Sequence, residues 1–248
     1  MDQSYVVETT ECQPEHVAEV GGKSVGLGSL LRAGQRVPSS FVVTAAAYSS
    51  WSRSEPRQMS DAIRSAVAAG YRRLCERTGT DVAVAVRSSA TIEDSSEASC
   101  AGQFRTFLGA SGVDEVVDQV EQCWLSAFSP HVDAYRAERV VDASSAGADS
   151  RVAVIVQELV DARVAGVMFT QHPRTGDRSL VVIEASYGLG EAVVGGEVTP
   201  DLFEVNKITR QVHHRSLGSK PHEHRVAPGA HSVATLPVTP DRQAEWSV

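Results

Sequence analysis

The sequence predicts a mixed α+β protein built in two parts, and three observations predict it. Apolar residues alternate at a period of two through Val82, Val84 and Val86, the mark of a strand. They recur at helical spacing through Met59, Ile63, Val67, Tyr71 and Leu74. A small, polar stretch at 141–150 then separates this front portion from three further strand candidates. The 248 residues suffice for one large domain or two subdomains with a real core.

In chain order, Tyr5, Val6 and Val7 form a short strand. Gly21-Gly22-Lys23-Ser24 follows, then Leu27, Leu30 and Leu31 at helical spacing, with Gly34 as the cap. Glycines at a helix start leave first-turn N–H groups open and Lys23 adds positive charge, which makes a seat for phosphate. A lysine at such a junction is also what a solvated surface carries. The stretch imitates a P-loop, but the pattern needs glycine at position 17, which is Val17, and a preceding strand, so Walker A is rejected.

Val37 to Thr44 reads as extended, with Thr44 capping a helix through Trp51. Residues 58–78 form a core-packed helix. Another runs from Val113 to Phe128, with Val116, Val117, Val120, Trp124 and Phe128 inward, and a further one from His131 to about Val140. Trp124 reads as a core aromatic. Beyond the linker, strands are expected at 152–157, 164–170 and 180–185, the last two joined by the turn Pro173-Arg174-Thr175-Gly176-Asp177. A last strand spans Asp201 to Val205. From about Leu217 periodicity vanishes, and 217–248 is expected to be an irregular, exposed tail.

The stretch from Asp81 to Leu108 is chemically the densest. A strand delivers Arg87 into a segment crowded with Ser, Thr and small residues, followed by Glu93, Asp94, Cys100-Ala101-Gly102 and a second strand through Phe104, Thr106 and Leu108. A guanidinium fork beside a small-residue loop suits an anion such as phosphate. An ordinary hairpin with a polar connection has the same local composition. Tyr187-Gly188-Leu189-Gly190-Glu191 follows a strand but has Val193 where a dinucleotide fold needs its third glycine, so it reads as a flexible loop. His222-x-His224 offers two imidazoles, yet no cysteine or nearby carboxylate completes a metal site, and none is expected.

Composition narrows the function classes. Apolar residues make up 42% and charged residues 22%, ordinary for a globular protein. A net charge of −8 argues against a general nucleic-acid or anionic-membrane surface while leaving room for a local basic pocket. Cys12, Cys75, Cys100 and Cys123 are far apart, which argues against a cysteine zinc site or a disulfide framework. With no signal-like N-terminus and no long apolar run, a cytoplasmic protein is expected.

Four stretches together resemble a known family. GGKSVGLGSLLRAGQRVPSSFVVT, AVRSSATIEDSSEASCAGQFRTFL, VQELVDARVAGVMFT and IEASYGLGEAVVGGEVTPD are similar to the N-terminal nucleotide-binding domain of phosphoenolpyruvate synthases, rifampicin phosphotransferases and pyruvate phosphate dikinases. The resemblance runs from roughly Cys12 to Asn206. It implies an ATP-grasp-like domain of two subdomains with ATP between them, here 1–140 and 151–216. Carried over, Lys23 and Arg87 hold ATP phosphates and act in catalysis, and Gly102 and Thr106 lie along the phosphate-binding hairpin. Gln157 and the backbone of Glu158 and Leu159 meet the adenine. The family's reaction passes a phosphoryl group from ATP, with Mg²⁺, to a histidine on a mobile domain and then to a substrate held by a third.

The sequence departs from the family where D-x-E-W and L-Q-x-R-P motifs would finish the metal end of the site. Glu245-Trp246 echoes the first, with Gln243 in place of its Asp. No phosphohistidine segment is recognisable either. The expectation is therefore an MgATP-binding domain that works with a histidine-bearing, substrate-binding domain or protein. The alternative is a non-catalytic nucleotide-binding or interaction module that keeps the fold.

Overall fold

Two units carry the fold, Met1–Leu159 and Val160–Val248. The computed structural model describes residues 4–79, 81–90, 106–126, 152–227 and 232–248. The expected linker at 141–150, the helix at 131–140, Phe128, Phe104, Glu93, Asp94, Cys100 and Gly102 lie outside the described residues.

The first unit is an antiparallel sheet of five strands. They are β1 (Val6–Glu8), β2 (Ser40–Val43), β3 (Val84–Ala90), β4 (Thr106–Ala110) and β5 (Val152–Glu158), in the spatial order β1-β2-β5-β3-β4. Every residue of β5 from Val152 to Gln157 is buried, so this strand needs cover on both faces and takes the central place. It closes the first unit's sheet, and the division between units falls just after it rather than before it.

The two faces are covered unequally. Phe41, Val43, Val84, Val86, Val152, Val154 and Val156 point to the large core under three helices, α3 (Ala45–Ser52), α4 (Asp61–Thr78) and α5 (Val113–Ser126), numbered after α1 and α2 below. Ile63, Val67, Tyr71 and Leu74 supply the stripe of α4, and Val116, Val117, Val120 and Trp124 that of α5, as the periodicity predicts. Trp124 is fully buried, its ring centroid 5.4 Å from that of Trp51, whose indole N–H donates to Glu121 Oε1 at 2.8 Å.

The opposite face carries a thin layer, α1 (Val17–Val20) and α2 (Gly22–Arg32), over Cys12, Val20, Val42, Ala153 and Ile155. Of the leucines of α2, Leu27 packs against this layer while Leu30 is exposed. The helix's fully buried positions are Ser24 and Gly28, and a Cβ on Gly28 would stand 2.3 Å from the Cys12 carbonyl oxygen, so backbone comes too near for a large side chain. At its end Gly34 N bonds Leu31 O and Gln35 N bonds Leu30 O, both at 3.0 Å, with Gly34 at φ 72°. That is the expected glycine stop. Thr44 does precede α3, but its hydroxyl donates to Ser4 O at 3.0 Å instead of capping the helix.

The second unit is an antiparallel sheet in the order β6 (Val164–Phe169), β7 (Leu180–Tyr187), β8 (Asp201–Asn206) and β9 (Val212–Ser216). A one-turn helix, α6 (Glu191–Val194), follows β7, which makes the glycine stretch a strand end and a helical turn rather than an open loop. Beyond β9 the expected irregular tail is instead a hairpin of β10 (His222–Val226) and β11 (Val233–Pro237), then a short helix, α7 (Pro240–Gln243). Polar side chains hide the period of β10, yet Glu223 and His224 are only 6% and 7% exposed.

Buried polar pairing ties that region down. Asp201 and Lys220, both fully buried, pair at 2.5 Å. Trp246 packs its ring 5.2 Å from Phe203 under Arg215, so the tryptophan of the Glu245-Trp246 echo serves packing. Among the described residues no helix is long and apolar enough to cross a membrane.

Candidate functional site

The candidate site is assembled on β3, where strand alternation sends neighbouring side chains to opposite faces. Val84 and Val86 enter the large core, which leaves Ala85, Arg87 and Ser89 on the thinly covered side. Arg87 lies directly opposite Thr106 of β4 and Ile155 of β5, and Ala85 lies opposite Gln157. Directly opposed residues share a face, so Arg87, Thr106 and Gln157 all stand on one side of the sheet.

Arg87 and Gln157 touch. Arg87 Nη2 donates to Gln157 Oε1 at 2.6 Å, and Gln157 Nε2 donates to the Pro38 carbonyl at 3.1 Å. The buried amide is therefore engaged at both ends and aims the guanidinium. Arg87 Nε is buried with no hydrogen-bond partner among the described residues. Burial pushes the guanidinium below its ordinary value, but arginine stays charged at neutral pH. A buried cation with an unfilled donor is costly to keep and favours an arriving anion.

Helix α2 brings the second cation to the same strand. Ser24, fully buried, places its N–H 3.3 Å and its hydroxyl 3.2 Å from Ser89 Oγ, which clamps the first turn of α2 against the end of β3. Exposed Lys23, one residue earlier, donates from Nζ to Ser88 O at 3.3 Å, beside Arg87 in sequence. The approach requires Gly21. Its backbone has φ 76° and ψ 162°, a region open almost only to glycine, and a Cβ there would sit 2.1 Å from Ser89 O.

Lys23, Arg87, Thr106 and Gln157 are thus gathered along β3. Gly102 lies outside the described residues. Glu158 ends β5 and Leu159 follows it, but their N–H groups already donate to Ser39 O at 2.9 Å and Ala83 O at 2.8 Å. The Ser24–Ser89 clamp was not legible beforehand, although Ser88 and Ser89 stand out in the sequence as part of a hydroxyl-rich run. Chemically the arrangement offers a guanidinium held by Gln157, an exposed ammonium and a helix N-terminus, a set suited to an oxyanion with several charged oxygens.

Comparison with known proteins adds the family context. Residues 53–248 match the family model described as pyruvate phosphate dikinase, AMP/ATP-binding domain, which extends the likeness past Asn206 to the last strands. A probable phosphoenolpyruvate synthase of Methanothermobacter thermautotrophicus is 40% identical over 87% of this chain and 36% of its own length. The phosphoenolpyruvate synthase of Aeropyrum pernix is 38% identical over 86% of this chain and 30% of its own. The prodigiosin synthesizing transferase PigC of Serratia marcescens is 37% identical over 90% of this chain and 26% of its own. The chain spans about a third of the length of the first relatives it matches.

Proposed function

Because the chain belongs to the pyruvate phosphate dikinase AMP/ATP-binding domain family, we propose that it binds MgATP with the nucleotide's phosphates at the Lys23–Arg87 corner. The observation that carries the placement is Arg87, a charged group held in position by Gln157 with a buried Nε that has no acceptor among the described residues. A phosphate oxygen fills that position with a charge-assisted hydrogen bond. Lys23 follows the charge as a flexible point cation, and Thr106, exposed opposite Arg87, offers a hydroxyl on the same face.

Mg²⁺ enters this reading as the counter-ion of the phosphates, lowering their charge. Glu93 and Asp94, the first acids after Arg87 in sequence, lie outside the described residues. The carbonyls of Glu158 and Leu159 remain for the adenine amino group, since their N–H groups are engaged within the protein. The relatives are about three times longer, and we assign the histidine that receives the phosphoryl group, and the final substrate, to the portion this chain does not match. For this chain the activity is then ATP-dependent phosphotransfer in cooperation with such a domain or partner.

Calorimetric titration of the purified chain with a non-hydrolysable ATP analogue and Mg²⁺ tests the site. Saturable binding is expected, weakened about ten- to a hundredfold in Arg87→Ala and in Lys23→Ala, the loss expected for a charge-assisted contact. No binding, or equal binding by the parent and both variants, overturns the assignment.

A further inference from the structure

We propose that Glu197, His222 and His224 form a binding site for a transition-metal dication of the zinc class in the second unit, a site separate from the Lys23–Arg87 corner. One oxygen, Glu197 Oε2, lies 3.3 Å from His222 Nε2 and 3.2 Å from His224 Nε2, and the three ligand atoms all fall within 4.8 Å of one another. Zinc bonds of about 2.0–2.1 Å at tetrahedral angles place neighbouring ligand atoms roughly 3.3–3.4 Å apart. The two edges from Glu197 Oε2 already match.

The scaffold explains why these groups converge. His222 and His224 are two apart on β10 and so share a face, with ring centroids 5.8 Å apart and planes inclined by 27°. Glu223 between them turns the other way and pairs with Arg242 at 2.7 Å. Glu197 is delivered by the turn after α6, its N–H bonded to Ala192 O at 3.0 Å. Leu189 N bonds His224 O at 2.8 Å and Gly188 bridges the same residue, which fixes β10 beside that turn. A Cβ on Gly188 would meet His224 O at 2.3 Å, so the tight approach depends on glycine there.

Donor counting favours a cation among these groups. His224 faces two carboxylates, Glu191 through Nδ1 at 3.3 Å and Glu197 through Nε2 at 3.2 Å. A neutral imidazole has one N–H, so one ring nitrogen would aim a lone pair at a carboxylate. Either a second proton on the ring or a metal between His224 Nε2 and Glu197 removes that conflict, and the metal also takes up His222 Nε2. Nδ1–H then donates to Glu191, the outer carboxylate that commonly orients a metal-binding histidine. Two imidazoles and one carboxylate suit zinc better than Mg²⁺ or Ca²⁺, which prefer oxygen throughout. The His224 side chain is 9% exposed while Glu197 is 44% exposed, which leaves the outer side open for water as a fourth ligand.

The test is calorimetric titration of the metal-stripped chain with Zn²⁺ alone, near neutral pH. One zinc per chain is expected, bound at least about tenfold more weakly by Glu197→Gln and by His222→Ala, and also weakened by Glu191→Gln. The His213→Ala/His214→Ala double variant, altered on β9, keeps full affinity. X-ray absorption of the zinc form should give two imidazoles and further oxygen ligands at about 2.0–2.1 Å. Glu197 and His222 are partly exposed, so their variants test the site without emptying a core. No bound zinc, or zinc held equally well by Glu197→Gln and His222→Ala, overturns the proposal.

Discussion

At the scale of single residues, Gln157 shows how a polar group inside a strand sets up a charged site. Its amide oxygen takes Arg87 Nη2 and its amide nitrogen serves the Pro38 carbonyl, so both ends are engaged within the protein. We therefore expect it to act by positioning Arg87. Gln157→Glu puts a negative charge on the guanidinium, where it competes with phosphate, and should weaken nucleotide binding tenfold or more, the effect of roughly 1.4 kcal/mol or above. Gln157→Met removes the tether without adding charge, and the loss should be smaller. Titrating ATP and GTP analogues in parallel distinguishes the roles. A positioning residue costs both nucleotides equally, whereas a base-reading residue changes their ratio. Arg87 was legible as a candidate at the end of a strand pattern and Lys23 at a glycine-rich helix start, whereas Gln157 entered through the family resemblance. The hydrogen bond between Arg87 and Gln157 was not legible, since pairing of β3 with β5 joins residues seventy positions apart.

Among the elements, legibility followed the size of the side chains that pack. Helices α4 and α5 bury large apolar residues at regular spacing, and the sequence announces them. Helix α2 buries Ser24 and Gly28, which carry no hydropathic signal, while Val25 and Leu27 beside them are only partly covered. Strand β10 is obscured in the same way, because its buried positions hold Glu223 and His224. The close fit of α2 makes a prediction about glycine. Gly21→Ala puts a side chain into backbone space almost reserved for glycine, against Ser89, and should cost at least about 2 kcal/mol. Gly26→Ala, in the same helix with open space around its Cβ, should instead gain roughly 0.5–1 kcal/mol. Urea unfolding with an unchanged slope reads both. Similar stabilities for the two variants would show that the Gly21 approach to Ser89 is loose.

On the scale of the whole chain, 217–248 joins the fold through charge rather than through a hydrophobic stripe, which is why it read as a tail. Asp201 of β8 gathers two separate stretches, 218–220 and the segment at Ser247. Its Oδ1 accepts from Lys220 at 2.5 Å and from Gly218 N at 2.8 Å, and its Oδ2 accepts from the N–H and hydroxyl of Ser247, both at 2.7 Å. Burial by itself would push this carboxyl up, but Lys220, Gly218 and Ser247 together hold it below the ordinary carboxylate range. A group depressed on folding contributes stability that is fully present above its unfolded value, about 3.9, and is lost as pH falls through the lower folded value. Urea midpoints measured downward from pH 6 should therefore fall below about pH 4. Asp201→Asn should flatten that part of the profile. At neutral pH the same variant leaves Lys220 as a buried, uncompensated charge and should cost about 3–5 kcal/mol. Adding Lys220→Met removes the stranded charge and should recover much of that loss. A pH profile for Asp201→Asn as steep as the parent's would move the acid dependence to other carboxylates, and failure of the double variant to recover would mean that Gly218 and Ser247, rather than the ion pair, hold this end of the chain.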